Sequence, residues 1–209
     1  MGGILSVVGP RILIPTFFIG HKVSTLDDPV QIAQTIAFSF LFVSFTFLIF
    51  SKEPWIALIP GVASLAYYMM IRDRMRIEQY RYADWMLTTP LMLLAILVTN
   101  NASLLTITGT LAADIVMILS GFFGAQASSD TLKMGLFSVG CIAFIPILYI
   151  LSTMKKAKYA VLLTLIMWIL YPILWIVDEK ALITKDNANI TYSVMDVVAK
   201  VGLVNLLHV

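Results

Sequence analysis

Seven stretches of the chain, at about 31–50, 54–71, 82–99, 104–124, 134–153, 159–177 and 190–207, each approach the length of apolar sequence that crosses a bilayer. A spanning helix needs roughly 20 such residues at 1.5 Å rise per residue. The fold class expected is therefore an all-α membrane protein, a seven-transmembrane helix bundle. The connections are short and hold most of the charge, as in "SKEP" (51–54), "RDRMRIEQYR" (72–81), "KKAK" (155–158) and "DEKALITKDNAN" (178–189). None has room for a soluble domain, so one bundle over residues 30–209 is expected, preceded by a segment over 1–29.

Composition agrees with a lipid environment. Of the 209 residues 60% are hydrophobic and 12% charged, against roughly one quarter charged in soluble domains. The net charge of +2 is too small to imply a nucleic-acid partner, and Cys141, alone in the chain, has no intramolecular disulfide partner. The apolar run "ILSVVGPRILIPTFFIG" near the start lacks a basic beginning and is broken by Pro10, Arg11 and Pro15. It reads as a retained segment at the membrane surface rather than a signal peptide.

Ionisable side chains within spans are costly, face the bundle interior, and by default mark function. Here they are Asp84 in the third span, Asp114 in the fourth, and Asp196 with Lys200 in the seventh. Asp196 and Lys200 are four residues apart and share one helical face. Two readings stand at this point: a structural ion pair, or an amine that forms a Schiff base with a carbonyl cofactor.

The third span favours the second. In "RYADWMLTTPLML" (81–93), Arg81, Asp84 and Thr88, with Trp85 and Thr89 one step round, make a polar, aromatic-lined face, and Pro90 can kink the helix. Two carboxylates, one arginine and one lysine form a near-neutral cluster, which suits a protonated Schiff base. In the sixth span "WILYPILW" (168–175) sets Trp168, Tyr171 and Trp175 on one stripe beside Pro172. Such a stripe is ordinary core in many helices; beside a buried lysine it resembles the walls of a slot for a flat polyene.

Taken together, "RYADW…TTPL", "ADIVMILSGFFG", "W..YP..W" and "D...K", in this order over residues 54 to 207, resemble the microbial (type 1) rhodopsins of bacteriorhodopsin pattern, including small viral-type members. The resemblance implies all-trans retinal on Lys200, Asp84 as primary counter-ion and proton acceptor, Asp196 as second counter-ion, and Arg81 as the gate toward the extracellular side. It implies that Tyr67 and Tyr171 hydrogen-bond Asp196, that Thr88 sits beside Asp84, and that Thr89 and Asp114 clasp the third and fourth helices. Trp85 and Trp168 would sandwich the polyene, with Met92, Met117, Gly121, Phe144 and Trp175 around its chain end and ring. It further implies an extracellular N-terminus, a cytoplasmic C-terminus and a homo-oligomer, trimer or pentamer, in the lipid bilayer.

One departure bears on mechanism. Outward pumps of this family carry an acid eleven residues after the counter-ion; here that position is Ala95. Without this donor, general acid catalysis of proton return is lost and the photocycle slows. The expected function is light-driven proton transport, not an enzymatic one. A light-gated cation channel, with Glu53 and Asn205 as candidate ion-path residues, and a sensory photoreceptor are the alternatives.

Overall fold

The computed structural model describes residues 28–207, so the expected surface segment over 1–29 lies, but for its last two residues, outside the described residues. Seven long helices follow one another: α1 (Pro29–Leu48), α2 (Leu58–Arg72), α3 (Ile77–Thr99), α4 (Leu104–Ala125), α5 (Asp130–Thr153), α6 (Lys158–Glu179) and α7 (Lys185–Leu206). A 3₁₀ turn over Pro54–Ala57 leads into α2 and another over Arg74–Arg76 into α3. Each helix packs on the next and α7 returns to α1, which closes the ring; the α5–α6 seam is the sparsest of these contacts.

Local chemistry sets the helix starts. The Asp28 carboxylate caps α1 by accepting from Val30 N at 3.0 Å, and Pro29 takes the first position, where a missing N–H costs nothing. Ser103, Ser129 and Thr184 cap α4, α5 and α7 in the same way, each hydroxyl accepting a backbone N–H three residues on. At the turn between α5 and α6, Asn100 Oδ1 at the end of α3 accepts from Lys155 N (2.9 Å) and Lys156 N (2.7 Å).

Six of the described helices are long and apolar enough to cross a membrane. The exception is α7, whose buried face carries Tyr192, Ser193, Asp196 and Lys200, so its polarity is turned into the bundle rather than toward lipid. The protein is an integral, multi-pass membrane protein. Toward the ends of α3 and α7 that hold Thr99 and Leu206, the interior is mainly apolar: Ile59, Leu93, Ile96, Leu97, Leu151 and Leu203 are all fully buried. Ala95 lies within this apolar layer, 2% exposed.

Candidate functional site

The site is built where α3, α6 and α7 face one another across the ring. On α7 the four-residue step puts Asp196 and Lys200 on one buried face, and on α3 Asp84 and Thr88 do the same. The Lys200 amine, 2% exposed, donates to Asp84 Oδ2 and lies 3.3 Å from Asp196 Oδ1. A buried ammonium persists only with counter-charge in contact, and two carboxylates supply it here.

The two carboxylates differ in their other partners. Asp196 accepts from Tyr67 Oη at 2.8 Å, from Tyr171 Oη at 2.6 Å and from Trp85 Nε1 at 3.1 Å. Asp84 receives only the lysine; its Oδ1 is buried without a hydrogen-bond partner among the described residues. Thr88 sits beside it, but its hydroxyl donates to the backbone carbonyl of Asp84 at 2.9 Å. One anion is thus held by three neutral donors while the other has none.

Between α3 and α4, Thr89 Oγ1 lies 2.9 Å from Asp114 Oδ2 and 2.8 Å from Trp85 O. Thr89 thus donates toward the Asp114 carboxyl and shares its one hydroxyl hydrogen with the Trp85 carbonyl, which clasps α3 to α4.

A cavity between α3, α4, α5, α6 and α7 has Lys200 and Asp196 in its wall. All ten residues assigned to the cofactor from the sequence border it: Lys200, Trp85, Thr89, Met92, Met117, Gly121, Phe144, Trp168, Tyr171 and Trp175. Sequence reasoning missed, among others, Tyr82, Phe137, Tyr192 and Ala199 in the wall, and gave no site role to Cys141, which also borders it. The ring contacts brace this wall: Phe137 stacks on Trp175 at 4.7 Å between centroids, and Trp85 meets Tyr171 edge-on at 5.1 Å. At Gly121 an added Cβ would come 3.1 Å from the Tyr82 ring, so the absent side chain keeps this end of the cavity open. An apolar, aromatic-walled cavity with a buried amine between two acids in its wall fits retinal, a polyene with one aldehyde.

Arg81, expected as the gate toward the extracellular side, is placed by its partners, and the expected ion-path residues are corrected. The Arg81 guanidinium pairs with neither carboxylate among the described residues: it donates to Asn189 Oδ1 at 2.6 Å and lies 4.1 Å over the Tyr192 ring. The side chain is long enough to take an amide and an aromatic face from α7 instead. Tyr192, four residues before Asp196 on the same face, was findable by that spacing. The proposed ion-path residues face outward. Glu53 is exposed at the turn before α2, and Asn205 is exposed with its Nδ2 donating to Val201 O of its own helix at 2.7 Å, so neither lines the interior.

A seven-helix membrane bundle with an apolar cavity ending on a doubly counter-charged lysine is the architecture of a light-absorbing retinal protein. The chain belongs to the bacteriorhodopsin-like family, whose model matches residues 29–209, and is a microbial rhodopsin. It is 34% identical over 170 residues to sensory rhodopsin I of Haloarcula marismortui, which covers 71% of this chain and 72% of that one. Among solved structures it is similar to the proton-pumping rhodopsin AR2 of the marine alga Acetabularia acetabulum, with a TM-score of 0.77 at 25% identity over 86% of this chain and 92% of that one. It is likewise similar to the light-driven proton pump of Leptosphaeria maculans, with a TM-score of 0.78 at 25% identity over 88% of this chain and 95% of that one.

Proposed function

We propose that this rhodopsin moves a proton from Lys200 Nζ to Asp84 when illuminated, and that the transfer drives proton transport across the membrane. Bound at Lys200, all-trans retinal supplies the light absorption and the change of shape that starts the cycle. The chain's own residues do the rest. Trp85 and Trp168 hold the cavity flat, Asp196 keeps its charge with the help of Tyr67, Tyr171 and Trp85, and Asp84 Oδ2 waits in contact with Nζ.

The observation that carries this reading is the unequal solvation of the two carboxylates. Three neutral donors stabilise the Asp196 anion; Asp84 has the lysine, with Thr88 beside it turned to the backbone and Oδ1 left without a partner among the described residues. When the amine gives up its proton, the less stabilised anion is the better base, so Asp84 accepts. The proposal extends to an extracellular N-terminus, an inward-facing "KKAK" loop that suits the positive-inside rule, and a trimer or pentamer of identical chains in the bilayer.

A sensory role is the second reading, favoured by Ala95. Lacking an acid there, the apolar half of the bundle returns the proton slowly, and a long-lived state suits signalling as well as it hampers pumping.

The test begins with purified protein and added retinal. A visible band that disappears in Lys200→Ala supports the attachment site, and colour persisting in that variant refutes it. Under illumination, a photocurrent that persists against an opposing proton gradient supports pumping; a current that reverses with the gradient, or none at all, overturns it.

A further inference from the structure

Four residues of α1 are buried, Val30, Gln34, Ala37 and Leu41, and only Gln34 among them is polar. Gln34 is 1% exposed, and neither its Oε1 nor its Nε2 has a hydrogen-bond partner among the described residues. A primary amide offers two donor hydrogens and two acceptor sites. Within the hydrocarbon region a polar group finds its partners inside the bundle or not at all, and buried polar groups left over by the protein are ordinarily met by bound water.

The position of Gln34 gives such water a direction. α1 packs against both α2 and α7, the helices that carry Tyr67 and Asp196. At the rim of the bundle Asp28 forms an ion pair with Arg74. Six residues further along the helix, about 9 Å at 1.5 Å per residue, comes Gln34. Inside, the buried Tyr67 lies at similar depth on α2, five residues before the last residue of that helix, and donates to Asp196 at 2.8 Å. Gln34 shares the buried face of α1 with Val30, Ala37 and Leu41, which pack in one cluster with Ala63, Tyr67 and Met70 of α2; of these only Tyr67 has a polar side-chain atom, so Gln34 is a polar step between a charged rim and the hydrogen bond that reaches the Lys200 pocket.

We infer that Gln34 anchors a buried file of about three waters, spaced at about 2.8 Å, between the Asp28–Arg74 pair and the Tyr67–Asp196 hydrogen bond, through which protons leave the Lys200 pocket. The file is a way out separate from the Arg81–Asn189 side. Tyr67 gives its hydroxyl proton to the innermost water and regains one from the Asp84–Asp196 pair, and each water takes one proton from its inner neighbour and passes one outward, so one proton emerges in solvent while Tyr67 and the file are restored. The inference rests on the proton-transport reading above.

The test uses the full chain with retinal bound, comparing the native protein with Gln34→Leu, Gln34→Met and Gln34→Glu. Light-minus-dark infrared spectra in ordinary and oxygen-18 water read the file directly; a pH dye outside sealed vesicles reads proton release. The native protein and Gln34→Glu, which keeps two polar atoms at the site, show water bands that shift with the isotope. The apolar variants lose those bands and slow release about a hundredfold, the low end of what a positioned proton relay contributes, while the transfer from Nζ to Asp84 keeps its rate. Water bands that survive in both apolar variants, or release at the native rate in them, overturn the inference. A native protein with no infrared signal from a protonated Asp84 would instead defeat the transport reading. The dependence of the water bands on Gln34 would then decide by itself whether the file exists.

Discussion

The inequality between Asp84 and Asp196 makes a quantitative prediction. Replace each in turn with asparagine, which keeps the shape and removes the charge. Lys200 then retains one carboxylate in either variant, so neither leaves an unpaired buried ammonium, and the loss of an ion-pair partner is common to both. What differs is the set of neutral donors. At Asp196 three of them lose an anionic acceptor: Tyr67 and Tyr171 Oη and Trp85 Nε1. A hydrogen bond to a charged group is worth about 1 kcal/mol more than one between neutral groups, so the three together come to about 3 kcal/mol.

Geometry adds to this cost. Tyr171 and Trp85 converge on Oδ1 while Tyr67 donates to Oδ2, so an asparagine that keeps its oxygen toward the first two presents an N–H₂ group to Tyr67, whose hydroxyl must then turn and accept. Asp84→Asn disturbs no such set. Asp196→Asn should therefore unfold more easily than Asp84→Asn by about 3 kcal/mol, measured as the loss of helical circular dichroism on titration with denaturing detergent. Function divides the other way: Asp196→Asn keeps a light-induced protonated carboxyl signal and Asp84→Asn loses it. Equal stability of the two variants, or greater damage from Asp84→Asn, would refute the claim that hydrogen-bond donors distinguish the two acids.

Two further outcomes follow from the site. Gly121→Leu fills the end of the cavity beside Tyr82 and should lower the yield of pigment on retinal addition about tenfold, a loss of about 1.4 kcal/mol in binding, with helical content unchanged; full pigment yield would show that retinal does not extend to this end. Ala95→Asp places an acid in the apolar layer and should speed decay of the deprotonated state, followed by flash photolysis, by about a hundredfold; an unchanged decay would mean that proton return is limited elsewhere.

Much of the site was legible because it rests on spacing within one helix. Asp196 and Lys200 share a face by their four-residue step alone, and once they were set in the interior, Asp84 was the remaining acid on a face lined with threonines and tryptophan. The cavity wall was legible for the same reason: Trp168, Tyr171 and Trp175 recur at three and four. What was missed depends on how helices are turned against each other and on long side chains with several rotamers. Arg81 can reach a carboxylate or an amide, and only the placement of Asn189 and Tyr192 on α7 decides it. Asn205 misled because polarity inside a span suggests a lined path, whereas an asparagine can satisfy itself on its own helix. Gln34 passed unnoticed, since an amide carries no charge to betray it in a charge survey, and its burial is a property of the assembled ring.

The distribution of polar groups about Lys200 gives the proposed transfer a direction. On the side of the amine toward the start of α3 lie Asp84 Oδ1, Arg81 Nε and the Gln34 amide, all buried and all without partners among the described residues, so water is stabilised there. On the other side Leu93, Ile96, Leu97, Leu151 and Leu203 form an apolar layer, and the hydroxyl of the buried Thr164 is turned to Ala160 O of its own helix. A proton leaving Nζ therefore meets a base and a solvated route on one side and an apolar barrier on the other. On the proposed reading, the first makes departure one-sided and the second makes return slow. The same asymmetry that would make this protein an outward carrier of protons also sets the lifetime of its deprotonated state. Pumping efficiency and signalling lifetime are then opposite consequences of one apolar layer, and Ala95 is the position in that layer where a single side chain shifts the balance.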